Sequence, residues 1–161
     1  MRFLCGILLS VMLAVPVFAE SRLNFETYGF SIDNLQVPSG DKGDVFQTVM
    51  MFLPASDGFA PNVNILIQKF SGTVAEYLKI SETQFTAAQA VVINKKQTDK
   101  NLILEYTVNM NGKDIHVYSK AIFDKDVVYL ASGTSLVSQW KSVGTVLKKN
   151  VDSIQLVGVK K

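Results

Sequence analysis

The hydrophobic positions of this chain change period several times, and each change marks an element. Val63, Ile65 and Ile67 alternate with Asn62, Asn64 and Gln68, the period of two expected of a strand with one buried face. Ser71-Gly72 breaks this strand. Thr73 and Glu76 then stand at the spacing of a capping box, which predicts a helix from Thr73 to about Ala88 with Val74, Tyr77, Leu78, Phe85 and Ala88 on one side. Ser81 and Gln84 could form a second capping box, so this stretch reads equally as one bent helix or as two short ones. Upstream, Tyr28 to Ile32 and Val45 to Leu53 read as strands, separated by the turn-rich VPSGDKGD.

The clearest pattern lies downstream. Asn101 to Met110 and Lys113 to Phe123 flank Asn111-Gly112, the dipeptide that best suits a two-residue hairpin. Such a loop pairs Val108 with Ile115, Tyr106 with Val117, Leu104 with Ser119 and Leu102 with Ala121 on one face. The opposite face then carries Thr107 with His116, Glu105 with Tyr118 and Ile103 with Lys120. Ala90 to Lys95 precedes this hairpin as a strand and Val127 to Ala131 follows it as another. A two- or a three-residue loop at Asp124-Lys125-Asp126 would put Tyr129 on different faces. Beyond Thr134 or Ser135, Leu136, Trp140, Val143, Leu147 and Val151 recur at helical steps and predict a buried stripe. Gly144 inside it is read as a place where the helix could approach the sheet, and Ile154 to Val157 as a short closing strand.

The first nineteen residues stand apart from these patterns. Met1-Arg2 is a short positive end, Phe3 to Leu13 an apolar run, and Val17-Phe18-Ala19 precedes polar Glu20-Ser21. These are the three regions of a secretory signal peptide, with cleavage expected between Ala19 and Glu20. The apolar run is short for a span, which needs about 20 residues. Cys5, the single cysteine, lies within the run rather than behind it, which argues against lipidation. Removing nineteen of the 161 residues leaves 142 without a cysteine, so the fold depends on its core. One domain, residues 20–161, periplasmic or secreted, is expected. The formal net charge falls from +2 to +1 once Arg2 is gone. No basic cluster recommends nucleic acid as a partner, and nothing predicts stable membrane insertion after cleavage.

A strand YGFSI, a strand NVNILI, a helix, a long hairpin, a strand VVYLASG and a terminal helix ending in VDSIQL form an order that resembles the fold of PsbP, the extrinsic subunit of photosystem II. A small Ran-binding nuclear import factor shares that fold, as do exported bacterial proteins. The resemblance spans about Phe25 to Leu156. It implies an α+β fold, a single antiparallel sheet of about six or seven strands flanked by helices on both faces. It also implies action through binding rather than catalysis.

The residues offer little independent chemistry. His116 is the only histidine and is expected at the surface of the hairpin, bonded to Thr107. Zinc would need thiolates or several imidazoles, and Asp41, Asp44 and Ser39 lack the ligand set of a calcium loop. Ser138-x-x-Lys141 matches a nucleophile pair of penicillin-binding enzymes, yet the companion motifs are absent. No catalytic residue, metal or cofactor is therefore expected. The reading that follows is a non-enzymatic interaction or assembly module with a protein partner in the cell envelope. A carrier of a small apolar ligand is the alternative, motivated by Met50, Met51, Phe52 and Phe85. An enzyme using carboxylates such as Glu105 and Asp114 ranks last. The loop from Pro54 to Pro61, expected between two central strands, is the candidate contact site. There Asp57-Gly58 favours a tight turn, and Phe59 is either a projecting anchor or a plug for the core.

Overall fold

The computed structural model describes residues 22–25, 29–33 and 45–156, in two compact units, Met1–Asp41 and Lys42–Lys161. The expected signal peptide with its expected Ala19–Glu20 cleavage point, and Tyr28, Asp41 and Asp44, lie outside the described residues. In the first unit, β1 (Arg22–Phe25) pairs antiparallel with β2 (Phe30–Asp33). β1 thus precedes Tyr28–Ile32, the first strand expected from the sequence.

The second unit is built on one antiparallel sheet. Its strands are β3 (Val45–Phe52), β4 (Asn62–Lys69), β5 (Val91–Gln97), β6 (Asn101–Met110), β7 (Lys113–Asp124) and β8 (Val127–Leu136). They lie in the order β3-β4-β8-β7-β6-β5, so among the described residues β3 is an edge strand and not, as expected, a central one. Helix α1 (Val74–Ala87) follows β4, and α2 (Val137–Asp152) follows β8. The α+β class, a single antiparallel sheet with helices, is the one the sequence predicts.

Local chemistry fixes the joints. The Thr73 hydroxyl accepts from the Glu76 amide, while Glu76 Oε2 accepts from the Thr73 amide at 2.7 Å, which closes the capping box. The helix then runs unbroken. Ser81 caps nothing: its hydroxyl donates to the Tyr77 carbonyl one turn back, at 2.9 Å, the alternative open to a serine inside a helix. Asn111 and Gly112 have φ of 53° and 78°, both positive as a type I′ turn requires. The β6–β7 register then follows, with Tyr106 opposite Val117 and Thr107 opposite His116. A two-residue loop joins β7 to β8 and sets Tyr129 opposite Ile122.

Because side chains alternate along a strand, the two helices cover opposite faces. On one, Val74, Tyr77 and Phe85 of α1 pack with Leu102, Leu104, Ala121, Val128 and Phe123. Tyr77 meets the rings of Phe70 and Phe123 edge-on at 5.2 and 5.3 Å. On the other, Leu147 and Val151 of α2 pack with Val63, Tyr118 and Ala131. Close approach of α2 is permitted by Gly133 on β8, where an added Cβ would stand 3.0 Å from that of Leu147. Gly144 has a different task, since a Cβ there would meet the Trp140 indole at 2.9 Å. Strand β8 continues to Leu136, past the expected end at Ala131, and α2 starts at Val137, two or three residues after the expected start at Ser135 or Thr134. Residues 154–156 form no strand, so the described part of the expected closing strand is absent; the Ile154 amide instead bonds back to Val151.

Candidate functional site

The polar face of the β6–β7 hairpin is not a surface. Helix α2 lies across it and buries Glu105 and His116, which retain 6% and 7% exposure. His116 is therefore not the exposed residue bonded to Thr107 that the sequence suggests. Its Nε2 lies 2.9 Å from Glu105 Oε1, and its ring stacks on Trp140 with centroids 3.6 Å apart. From α2, Lys148 reaches Glu105 Oε2 at 2.9 Å and Oε1 at 2.8 Å. The Lys148 ammonium also stands over the Tyr118 ring at 5.1 Å and the Trp140 ring at 5.7 Å, within range for cation–π attraction. Tyr118 donates to Asp152 Oδ1 at 2.9 Å, and Lys120 donates to the Asp152 carbonyl.

The electrostatics of this cluster follow from burial and one fixed cation. Burial works against the Glu105 carboxylate, but the hydrogen bonds from Lys148 and His116 overcome it and hold its pKa below the usual value. Burial lowers the pKa of His116; Glu105 opposes this, and Lys148 adds to it. With Lys148 already supplying the counter-charge, His116 sits neutral at pH 7 and donates from Nε2 to Glu105. Burial, and then the bond to the Asp152 carboxylate, push Tyr118 up to about 12. Each polar group in the cluster is engaged with another across the α2–sheet seam, an arrangement that orients the helix and leaves no facing carboxylate pair. Asp114, the other acid considered from the sequence, is exposed and accepts from Asn109 at 2.8 Å. Ser138 and Lys141 are exposed on α2. Among the described residues no group of three or more His, Cys, Asp or Glu could hold a metal ion.

The loop from Pro54 to Pro61 is a small hairpin of its own. Ser56 and Phe59 exchange backbone hydrogen bonds at 3.1 and 2.9 Å, and Asp57 and Gly58 both have positive φ. Asp57 is exposed at the tip. Phe59 is half-buried and packs against Ile115, Val117 and Leu136. Buried Gln139 holds the loop from α2: its Nε2 donates to the Ser56 carbonyl and hydroxyl, each at 2.8 Å, and its Oε1 accepts from the Leu136 amide. On the other side Lys113 donates to the Gly58 carbonyl at 2.6 Å. Gln139 was not legible as a site residue, because a glutamine beside an apolar stripe is ordinarily solvated. Phe59→Ala is expected to lower the melting temperature by several degrees, since it removes a ring packed on the core. A melt unchanged by the substitution would mean that the ring contributes through contacts outside the core.

Two hollows lie beside these features. An open cleft of about 370 Å³ is lined by residues that include Val91, Thr107, Asn109, Asp114 and Val137. A notch of about 70 Å³ lies between the end of β3 and α2, walled by Met51, Phe52, Leu53, Val63, Val146 and Asn150 among others. Met50, Met51 and Phe52 are 41%, 43% and 62% exposed.

No family model matches the chain, and no curated protein matches it. Solved structures do. A Pseudomonas aeruginosa protein of unknown function, for which a regulatory role has been suggested, aligns with 87% of this chain and 99% of its own, at 11% identity and a TM-score of 0.55. Cyanobacterial PsbP from Synechocystis, of the family whose element order the sequence resembles, aligns with 92% of this chain and 99% of its own, at 15% identity and a TM-score of 0.47. LpqN of Mycobacterium tuberculosis, a protein involved in cell envelope biogenesis, aligns with 72% of this chain and 85% of its own, at 14% and 0.40. At these identities the likeness is one of fold. The fold class is an α+β sheet with flanking helices, and sites do not transfer with a fold.

Proposed function

We propose that this protein is an exported, non-enzymatic interaction module of the cell envelope. The observation that carries this reading is the contrast between its polar and apolar groups. The perturbed ionisable groups near α2 are spent on one another across its seam, while Met50, Met51 and Phe52 stand exposed in a row at a sheet edge. Strand period puts Met51 on the α2 face beside its partner Val63 and Met50 and Phe52 on the other, so apolar side chains are exposed on both sides of this edge, as they are where a partner is contacted. Export rests on the three-part pattern of the first nineteen residues. The likeness to an envelope biogenesis protein is compatible with it but lends it no weight. None of the helices among the described residues is long and apolar enough to cross a membrane.

Two measurements test the proposal. The native protein is expected to have the mass of a chain beginning at Glu20; a chain that keeps Met1 to Ala19, or carries lipid on Cys5, would overturn the export reading. Photo-crosslinkers placed at Phe52, Asp57 and Phe59 in the intact envelope are expected to give a discrete partner adduct from one of these positions. Adducts at none of them would count against an interaction module that uses these surfaces.

One observation favours a small-ligand carrier as a second reading. The 370 Å³ cleft falls in the size range of ligand sites, about 300–1,000 Å³. Met50, Met51, Phe52 and Phe85 are not among its lining residues, and its walls include Thr107, Asn109 and Asp114, so its ligand would be amphipathic rather than apolar.

A further inference from the structure

We propose that the outer edge of β3 accepts an extended, uncharged segment of a partner protein as an added strand, with one aliphatic side chain of that segment seated in the notch beside α2. This rests on the interaction reading above and names the chemistry of the partner.

Strand β3 pairs with β4 on one side, and among the described residues no strand pairs with it on the other. An edge of this kind leaves a row of N–H and C=O groups that only another extended backbone satisfies as a row. Natural edges are usually guarded by lysine, proline or a bulge. The opposite edge, β5, is guarded in this way where its register shifts between Val92 and Asn94 and along its second half, which carries Lys95 and Lys96, although Val91, Val92 and Ile93 before them are exposed. Lys95 is further held by Glu82 of α1 at 2.6 Å.

Strand β3, VFQTVMMF, has neither charge nor proline. Its one register shift falls between Gln47 and Val49, and from Val49 to Phe52 it runs in step with Ile65 to Asn62. The half of the edge nearest the notch is therefore regular as well as unguarded.

The notch selects the occupant. Its volume of about 70 Å³ is far below the roughly 300 Å³ of a small-molecule site and suits a single aliphatic side chain. Met51, Phe52 and Val63 form the strand side of the wall, and Val146, itself 55% exposed, the helix side, with Asn150 as a polar neighbour. No lining residue is charged, so a charged side chain entering the notch would lose its hydration without a partner. Strand period then requires the remaining side chains on that face to be apolar or small, with polar uncharged residues alternating toward solvent.

The test uses the mature chain and a short synthetic peptide alternating valine and threonine, in three forms: unmodified, or N-methylated on one or the other set of alternate amides. The unmodified peptide is expected to bind saturably by calorimetry. One N-methylated form should bind about as well and the other about tenfold more weakly or worse, because only one set of amides faces the edge. Met51→Lys and, independently, Val146→Asp at an exposed helix position should weaken binding comparably while leaving the melt of the free protein unchanged.

Equal binding of both N-methylated forms would overturn strand addition, as would failure of the unmodified peptide to bind. Protection of the outer-edge amides of Met50 to Phe52 in the dilute free chain would show the edge already paired and would equally overturn it. So would a dimer that Met51→Lys dissociates, since the occupant would then be a second copy. If the peptide fails while an envelope adduct forms at Phe59, the edge inference falls and the interaction reading stands.

Discussion

Replacing Lys148 with methionine is expected to reverse the way stability depends on pH. In the native cluster, the Lys148 ammonium is the cation of buried Glu105, and His116 has a pKa below its ordinary value of 6.5. The unfolded chain therefore binds more protons than the folded one as pH falls below about 6.5, and stability declines in that direction. Glu105, lowered from 4.5, adds a further loss as pH falls through its folded value. Without Lys148 the carboxylate keeps its burial but has only His116 to compensate it. The imidazole should then take a proton, and its folded pKa should rise above 6.5. A raised pKa contributes stability that is full below the unfolded value and lost as pH climbs through the folded one. Between about pH 6 and 8 the variant should thus gain stability on acidification while the native protein loses it. Near pH 8 the variant should be weaker by about 2–3 kcal/mol, less than a fully buried pair because the Lys148 side chain is 37% exposed. Urea unfolding across this range reads both slopes. Parallel slopes would show that Lys148 does not set the protonation of His116.

What was legible in the sequence was whatever a local rule determines. The β6–β7 register follows from one dipeptide, Asn111-Gly112, and the alternation on either side of it. The start of α1 follows from Thr73 and Glu76. Facts decided across the sheet were not legible. Glu105 and His116 lie on the mixed face of the hairpin, and nothing within the hairpin says that α2 will cover them. A signal existed, since that face also carries Ile103 and Tyr118, too apolar and too large for open water. Lys148 directly follows Leu147 of the buried stripe, close enough to the seam for a long side chain to turn inward. The edge position of β3 was misread for a related reason. An apolar strand suggests a central place in a sheet, yet strand order is set by where the chain re-enters the sheet after α1: β5 takes the far edge, and β6, β7 and β8 step back until β8 pairs with β4 and leaves β3 outside. Beyond Ala131, alternation continues through Gly133 and Ser135 to Leu136, which is why β8 outruns its expected end.

The last expectation concerns Trp140 and the glycine one turn after it. The indole is half-buried, stacked on His116 and packed against the Val63–Leu147–Val151 cluster. Trp140→Ala should cost about 3 kcal/mol, the low end for removing a large aromatic from a core, because part of the ring already meets water. Gly144 makes room for that ring, with an added Cβ falling 2.9 Å from Cε2 and 3.0 Å from Cδ2. In the native protein, then, Gly144→Ala must displace the indole from its stack, and the cost of that shift should exceed the gain of about 1 kcal/mol that alanine brings to a helix interior. With Trp140 already replaced by alanine the obstruction is gone, and the same Gly144→Ala change should stabilise the protein by up to about 1 kcal/mol. The substitution is thus expected to change sign between the two backgrounds, a coupling that a double-mutant cycle measures directly. If Gly144→Ala has the same effect in both, the ring does not lie over the glycine, and α2 meets the sheet with a different face.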